Sequence, residues 1–201
     1  VRPYEKVAGS SQRLFRKWQD KCKTFLSGGT VRDKSGAKLG YRDLVRLIVQ
    51  DFDRFPLISG PRRPRVGLVG EILVKFHPDA NNHAIEVIES EGCEAVLPGL
   101  MDFFFYCFHN AGWKHRNLGT SRFSAIVATL GNAIMALYRR PAVRALAATN
   151  GKFMVPVSIH HLAERAQDVL SLGNDSGEGW FLTAEMLELI ENIHNSGVTV
   201  V

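Results

Sequence analysis

The pattern of hydrophobic and polar positions changes its period along the chain. In residues 10–55, apolar side chains recur every three or four positions, at Leu14, Trp18, Cys22, Phe25 and then at Leu44, Ile48, Phe52. This spacing predicts two amphipathic helices, over QRLFRKWQDKCKTFL and YRDLVRLIVQDFDRF. Ser10 and Ser11 are candidate caps of the first helix, Gly28 and Gly29 end it, and Pro56 ends the second.

From Arg65 onward, short apolar runs alternate with a helical pattern. RVGLVG and CEAVLPG are typical of strands buried on both faces, and ANNHAIEVIESEG between them is typical of a helix. A strand, helix, strand unit of this kind closes with parallel strands. We therefore predict an α/β fold, a Rossmann-like open parallel sheet with a helical insertion and an N-terminal helical extension.

The same pattern predicts the domain organisation. Residues 1–63 form the helical extension and a Pro- and Arg-rich linker, and residues 64–201 form the Rossmann-like half-domain, with the insertion at about 101–172. A last helix runs from Thr183 to about Asn195, and VTVV begins a final strand. Because the chain starts at Val1 without methionine and stops within this β-branched run, we expect a piece of a longer polypeptide, truncated at its C-terminal strand.

Polar residues gather where the predicted strands end. In an open parallel sheet, ligands bind outside the carboxyl ends of the strands. The candidate residues of a ligand crevice are Gly70, Glu71, Lys75, His77, Asn81, Asn82, Asp102, Gly177, Glu178 and Trp180. Simpler interpretations stay open for two of them: Asp102 could only cap the aromatic helix that follows it, and Trp180 could fill the core. No catalytic residue is assigned.

Charge and cysteine usage narrow the class of protein. Residues 103–163 contain seven Lys or Arg and no Asp or Glu, whereas residues 164–201 contain seven acids and one base. This separation favours an anionic ligand or an acidic partner domain near the basic block over a general DNA-binding surface, and a solvated basic face remains the alternative. Three scattered cysteines, no charged and apolar leader and no apolar run long enough for a bilayer predict a cytoplasmic protein with reduced thiols.

Several common chemical motifs are missing from the chain. There is no GxGxxG dinucleotide fingerprint, no GxxxxGK[ST] phosphate loop and no GxSxG nucleophile elbow. His77 and His83 lack a third histidine or cysteine at the spacing that a metal requires, and we predict no metal ligand among the residues of this chain.

Three segments, taken in order, resemble a known family. RPRVGLVGEILVKFHPDANN, GCEAVLPG and GNDSGEGWFLTAEMLELIENI are similar to segments of the acyl-CoA dehydratase activase-related proteins, which are related to the activator and component D of 2-hydroxyglutaryl-CoA dehydratase. The likeness extends over nearly the whole chain from RPYEK onward, and GEGWFLTAEM is its most specific part.

The resemblance implies a function and a set of partners. It implies a component of an anaerobic lyase, the iron–sulfur 2-hydroxyacyl-CoA dehydratase or the CoA-substrate-specific activase, in which this chain supplies scaffold and crevice wall for an acyl-CoA site. The full-length protein would hold a four-iron four-sulfur cluster outside this chain, and ATP would bind only a separate activator region. The partners would be acyl-CoA and the remaining domains of the same polypeptide or a dehydratase subunit, with no nucleic acid and no membrane. We expect the isolated chain to be inactive.

Two other functions stay open at this point. The chain could be a non-catalytic docking or regulatory module that kept the dehydratase-like fold. It could also bind nucleic acid through its basic N-terminal helix, in which case binding by residues 1–63 would fall steeply with salt.

Overall fold

The computed structural model describes residues 1–149, 151–196 and 198–200, except for the side chains of residues 192–200. Val201, which ends both the predicted strand VTVV and the predicted half-domain, lies outside the described residues. The helices are α1 (Ser10–Leu26), α2 (Tyr41–Asp53), α3 (Ile72–Phe76), α4 (Ala84–Ser90), α5 (Leu100–Leu118), α6 (Arg122–Ala147), α7 (Ile159–Gln167) and α8 (Gly179–Ser196). The strands are β1 (Arg65–Gly67), β2 (Glu94–Val96) and β3 (Val198–Val200), and short 3-10 turns cover Arg2–Tyr4, Pro78–Asn81 and Ser176–Glu178.

The chain is mostly helical, and the prediction of a Rossmann-like open sheet is wrong. The described strands have three residues each, in the order β2-β1-β3. β1 does pair in parallel with β2 and with β3, Arg65 lying opposite Glu94 and Val198. The apolar runs end early because the backbone turns into helices instead: Glu71 caps α3 four residues after β1, and Pro98 and Gly99 lead from β2 into α5.

The chain divides into two compact units. Unit 1 contains Val1–Pro61 and Tyr138–Val155, and unit 2 contains Arg62–Leu137 and Pro156–Val201. The division falls within α6, so residues 138–155, which the sequence places in the helical insertion, belong with the N-terminal helices.

Unit 1 has a small core between α1 and α2. Its buried residues are Trp18, Val31, Leu39 and Leu44. The Trp18 Nε1–H donates to Asp51 Oδ2 at 3.1 Å, which fixes the indole between the two helices. Helix α1 begins at Ser10 after Gly9, and the carboxylate of Glu5, not a serine hydroxyl, accepts the N–H groups of Gly9 and Ser11. These hydrogen bonds, those from Ser11 first, lower the pKa of Glu5 to about 2.

Unit 2 holds the larger core, built where α5, α7 and α8 pack together. Its buried residues are Phe105, Tyr106, Ile159, Leu162, Ala163, Ala166, Leu172, Trp180, Phe181 and Ala184. The Tyr106 ring stacks on Phe181 at a centroid distance of 4.9 Å, and its hydroxyl donates to the carbonyl of Asp175. The aromatic run at 103–108 therefore serves the core mainly through Phe105 and Tyr106, while Phe104 stays exposed.

None of the described helices combines the length and the apolar composition that a bilayer crossing needs.

Candidate functional site

A buried ion pair joins α3 to α8 in unit 2. The Lys75 ammonium donates to both carboxylate oxygens of Glu185, at 2.7 Å and 2.6 Å. Lys75 is 3% exposed and Glu185 is 1% exposed. The position of Lys75 follows from local sequence: Glu71 caps α3 by accepting the N–H groups of Leu73 and Val74, and Lys75 comes one turn later, where its N–H bonds to the Glu71 carbonyl. The aromatic rings of Phe76 and Phe181 flank the ammonium.

Burial controls the protonation of Glu185. Desolvation raises the pKa of this carboxyl to about 7, even though the hydrogen bonds and the charge of Lys75 lower it. The negative charges of Asp102 and Glu178 raise it further. A carboxyl group that titrates near neutrality can hold or release a proton under cellular conditions, a property shared by many catalytic and binding sites.

Glu178 brings a second buried carboxylate to the same place. Its Oε1 accepts the N–H of Ile72 at 3.0 Å, at the start of α3. Its Oε2 is buried and has no hydrogen-bond partner, although the residue is only 6% exposed. Burial raises the pKa of Glu178, helped by the charge of Glu71 and opposed by the Ile72 N–H and by Lys75. A buried carboxylate oxygen that lacks a donor is costly, so this atom is a candidate acceptor for a hydrogen bond from a ligand.

The backbone at Gly177 and Glu178 is left-handed, with φ values of 60° and 65°. Glycine adopts this conformation freely, but a residue with a long side chain does so at a cost of about 1 kcal/mol or more. The turn aims the Glu178 side chain at α3, so backbone strain and the hydrogen bond to Ile72 occur at the same residue. Strain of this kind concentrates at functional positions.

Asp102 completes a group that we name the ionic cluster: Lys75, Asp102, Glu178 and Glu185. Asp102 lies in the first turn of α5, is 8% exposed, and acts on Glu185 through its charge. Its own N–H donates to the carbonyl of Gly99. Three carboxyl groups and one ammonium therefore share a buried region, and a single ionised carboxyl group is enough to balance the charge of the ammonium.

The structure brings some of the predicted residues together and leaves others apart. Glu71, Lys75, Asp102, Gly177 and Glu178 lie in or beside the ionic cluster. Trp180 is fully buried, and its Nε1–H donates to Asn110 Oδ1 at 2.9 Å, so it fills the core, which was the alternative interpretation of this residue.

The remaining predicted residues have local structural contacts. Asn81 connects two helices, because its Nδ2 donates to the carbonyl of Val74 and its Oδ1 accepts the N–H of Ala84 at the start of α4. His77 ends α3, and Asn82 precedes α4 with a left-handed backbone; both are exposed. Gly70 is half-buried on the way from β1 to α3. Among the described contacts of these four residues, one reaches the ionic cluster: Asn81 Nδ2 also donates to the main-chain carbonyl of Lys75, at 3.3 Å.

The candidate list derived from the sequence lacks Glu185. The signal was present, since Glu185 follows Glu178 by seven residues, two helical turns, and stands among the buried Phe181, Ala184 and Leu189. An acid on the apolar face of a helix needs a partner, and the partner here is Lys75.

The described cysteine, histidine and carboxylate side chains offer no metal centre. No group of three or more of them is placed to hold a metal ion. Cys22 lies in α1 of unit 1, whereas Cys93 precedes β2 and Cys107 lies in α5 of unit 2. A four-iron four-sulfur cluster needs several thiolates at one point, so these residues do not fit it.

Comparison with known proteins adds no relative: no family model, no curated protein and no solved structure matches the chain.

Proposed function

We propose that the ionic cluster forms one wall of a binding site for the acyl part of a 2-hydroxyacyl-CoA thioester, in a protein of the dehydratase or activase type. The observation that carries this proposal is the buried, unpartnered Oε2 of Glu178. Further support comes from contacts between the segments that carry the family resemblance. Its two longest segments, which contain Glu71 to Asn82 and Gly177 to Glu185, contact each other through the Ile72–Glu178 hydrogen bond and the Lys75–Glu185 pair.

The chemistry of the cluster suits a hydroxyl group next to a carbonyl. A ligand hydroxyl can donate its hydrogen to Glu178 Oε2 and so satisfy the only atom of that carboxylate that lacks a partner. Because burial raises the pKa of Glu178, the same oxygen can also carry a proton and donate it to a ligand oxygen. The Lys75 ammonium, held by Glu185, contributes a fixed positive charge to the region.

The proposal assigns no step to an iron–sulfur cluster, because no group of described side chains is placed to hold a metal ion, and none to ATP, which the resemblance assigns to a separate activator region. In a longer protein those groups would belong to other segments. The role of this chain is to bind and orient the acyl group and to hold a proton at Glu178.

Calorimetric titration of the chain with a 2-hydroxyacyl-CoA and with the matching acyl-CoA that lacks the hydroxyl tests the proposal. Glu178→Gln keeps an oxygen for the Ile72 N–H but replaces the free carboxylate oxygen by an amide. Loss of a hydrogen bond to a charged group predicts binding of the hydroxylated ligand that is weaker by about 10-fold to 100-fold. Glu164→Gln, which changes an exposed acid on α7, is the matched control and is expected to bind as the wild type does.

Equal affinity of wild type and Glu178→Gln for the hydroxylated ligand would contradict the proposal, as would equal affinity of the wild type for both ligands. Absence of any binding by the folded wild-type chain would contradict it as well.

A second candidate function is a non-catalytic module that uses the ionic cluster as an internal clamp. The near-complete burial of Lys75 and Glu185 favours it, because each group already satisfies the other. The two candidates predict different binding: an internal clamp stabilises unit 2 without binding acyl-CoA, whereas the wall of a binding site binds it.

A further inference from the structure

Helix α6 carries its large apolar side chains on its exposed face. Between 48% and 75% of the surface of each of these residues is accessible. The α6 apolar face, as we name it, consists of Phe123, Ile126, Val127, Leu130, Ile134 and Leu137, all in unit 2. Their spacing of three and four residues aligns them in one stripe along the helix, about 21 Å long.

The opposite face of α6 packs against the core of unit 2. It presents small or slender residues there, with Ala128 buried and Met135 packed against the core. A Cβ at Gly131 would lie 2.8 Å from the ring of Phe108 on α5, so this ring fills the space that a larger residue at position 131 would need. In this arrangement the small residues of α6 face the core and the large apolar residues face away from it.

The exposed area is large enough to form an interface. Scaled by the full surface of such side chains, the exposed fractions amount to roughly 600 Å² of apolar surface, the upper end of what a monomer normally exposes in one patch. A standard protein interface buries about 800 Å² on each partner. The α6 apolar face therefore supplies most of what one side of a stable interface requires.

The charges around this face select the kind of partner. Residues 103–137, which include all of α5 after its first turn and the unit 2 part of α6, contain Lys114, Arg116 and Arg122 and no acid. Lys114 is paired with Asp175, while Arg116 and Arg122 are exposed. A second copy of the chain would bring the same positive charges against each other, whereas an acidic partner would neutralise them.

We propose that the α6 apolar face docks an amphipathic helix whose polar positions are acidic, contributed by a partner domain or subunit. Anchors at spacings of three, four and seven residues are what a partner helix needs to lie along a groove or stripe. The inference goes beyond the acyl-CoA site, because none of its residues belongs to the ionic cluster.

Synthetic helical peptides of about 18 residues, long enough to span the stripe, provide the probe. One peptide has leucines at helical spacing and glutamates at its other exposed positions, and a matched peptide has lysine in place of each glutamate. Fluorescence anisotropy should show that the acidic peptide binds the wild-type chain at least about 10-fold more tightly than the basic one, with affinity falling as salt is raised.

Two variants locate the binding. Ile126→Ser with Leu130→Ser removes two exposed anchors and is expected to weaken the acidic peptide at least about 10-fold. Val169→Ser removes an equally exposed apolar side chain that lies elsewhere in unit 2, and it should leave the affinity unchanged. Both changes affect exposed side chains, and circular dichroism verifies that the helices persist.

Three outcomes would overturn the proposal. The first is equal binding of the two peptides, or of the acidic peptide by wild type and the double variant. The second is a homodimer in sedimentation velocity that the double variant abolishes, which would assign the face to a second copy. The third is binding to vesicles that contain phosphatidylserine, lost in the double variant, without binding of the acidic peptide.

Discussion

At the level of single residues, the acid–base behaviour of unit 2 depends on side chains that are buried with few partners. Glu178 has a left-handed backbone and one unpaired carboxylate oxygen, and Glu185 titrates near neutrality. His109 behaves in the opposite way. Burial lowers its pKa from 6.5 to about 4, with smaller contributions from His160 and Arg116, and its Nδ1 is buried without a hydrogen-bond partner.

The raised pKa of Glu185 predicts how stability depends on pH. Because the folded state holds this proton more tightly than the unfolded chain, whose pKa is the ordinary 4.5, the contribution of Glu185 is complete below about pH 4.5 and is lost as the pH rises through about 7. Glu185→Gln imitates the protonated form at every pH. The unfolding free energy of the wild type, taken relative to that of Glu185→Gln, should therefore fall by up to about 3 kcal/mol as the pH rises between these limits.

Urea unfolding of both proteins at a series of pH values measures this difference. The comparison with the variant is necessary because other groups contribute to the wild type as well. His109 has the opposite sign: its contribution is complete above about pH 6.5 and is lost as the pH falls through about 4. A difference that stays constant, or that grows as the pH rises, would show that Glu185 is ionised throughout.

At the level of helices and strands, the Lys75–Glu185 pair is the polar connection between α3 and α8. Helix α3 has only five residues and cannot be stable by itself, so its position depends on such contacts. Removing one partner of a buried pair leaves a charge without compensation, whereas replacing both by apolar residues of similar size can be neutral.

Lys75→Met should lower the unfolding free energy by about 3–5 kcal/mol, and Lys75→Met combined with Glu185→Leu should recover most of that loss. Arg165→Met, which breaks the exposed pair of Arg165 with Glu191 (2.6 Å), is the control and should cost less than about 1 kcal/mol. Chemical denaturation measures all three. If the double variant were as unstable as Lys75→Met, the loss would come from packing of the lysine stem and not from the unpaired carboxylate.

The helices could be predicted from the sequence better than the strands could. α1 and α2 follow directly from the spacing of Leu14 to Phe25 and of Leu44 to Phe52, because a helix expresses its period locally. The run RVGLVG has the composition of a strand buried on both faces, but only Arg65–Gly67 forms a strand. Strand length depends on partners far away in the chain, so local composition overestimated the sheet and led to the wrong fold class.

The sequence predicted only part of the candidate site, because some of its contacts join residues that are far apart in the chain. The sequence places Glu71, Lys75 and Asp102 after predicted strands and Glu178 in a glycine-rich turn, and the fold brings these residues together even though the sheet is small. Glu185 was not chosen, because its role depends on a lysine 110 residues earlier in the chain. His77 and Asn82 are close to the site in sequence but lie in local turns, and Asn81 touches the cluster through the main-chain carbonyl of Lys75.

At the level of the whole molecule, the ionic cluster and the α6 apolar face differ in their chemistry. The ionic cluster is buried and charged and is the proposed site for a small ligand, whereas the α6 apolar face is exposed and is the proposed docking site for an acidic helix. Both belong to unit 2. The two proposals are therefore independent of each other and are tested by separate ligands.

The central claim is that a ligand reaches the free carboxylate oxygen of Glu178. The most direct measurement follows the carboxyl carbon of Glu178 by ¹³C NMR, with assignment from Glu178→Gln, while the wild-type chain is titrated with a 2-hydroxyacyl-CoA. A new hydrogen bond at Oε2 should shift this signal in proportion to ligand bound and change the pKa that it reports. A ligand that saturates the protein and leaves the Glu178 signal and its titration unchanged would contradict the claim.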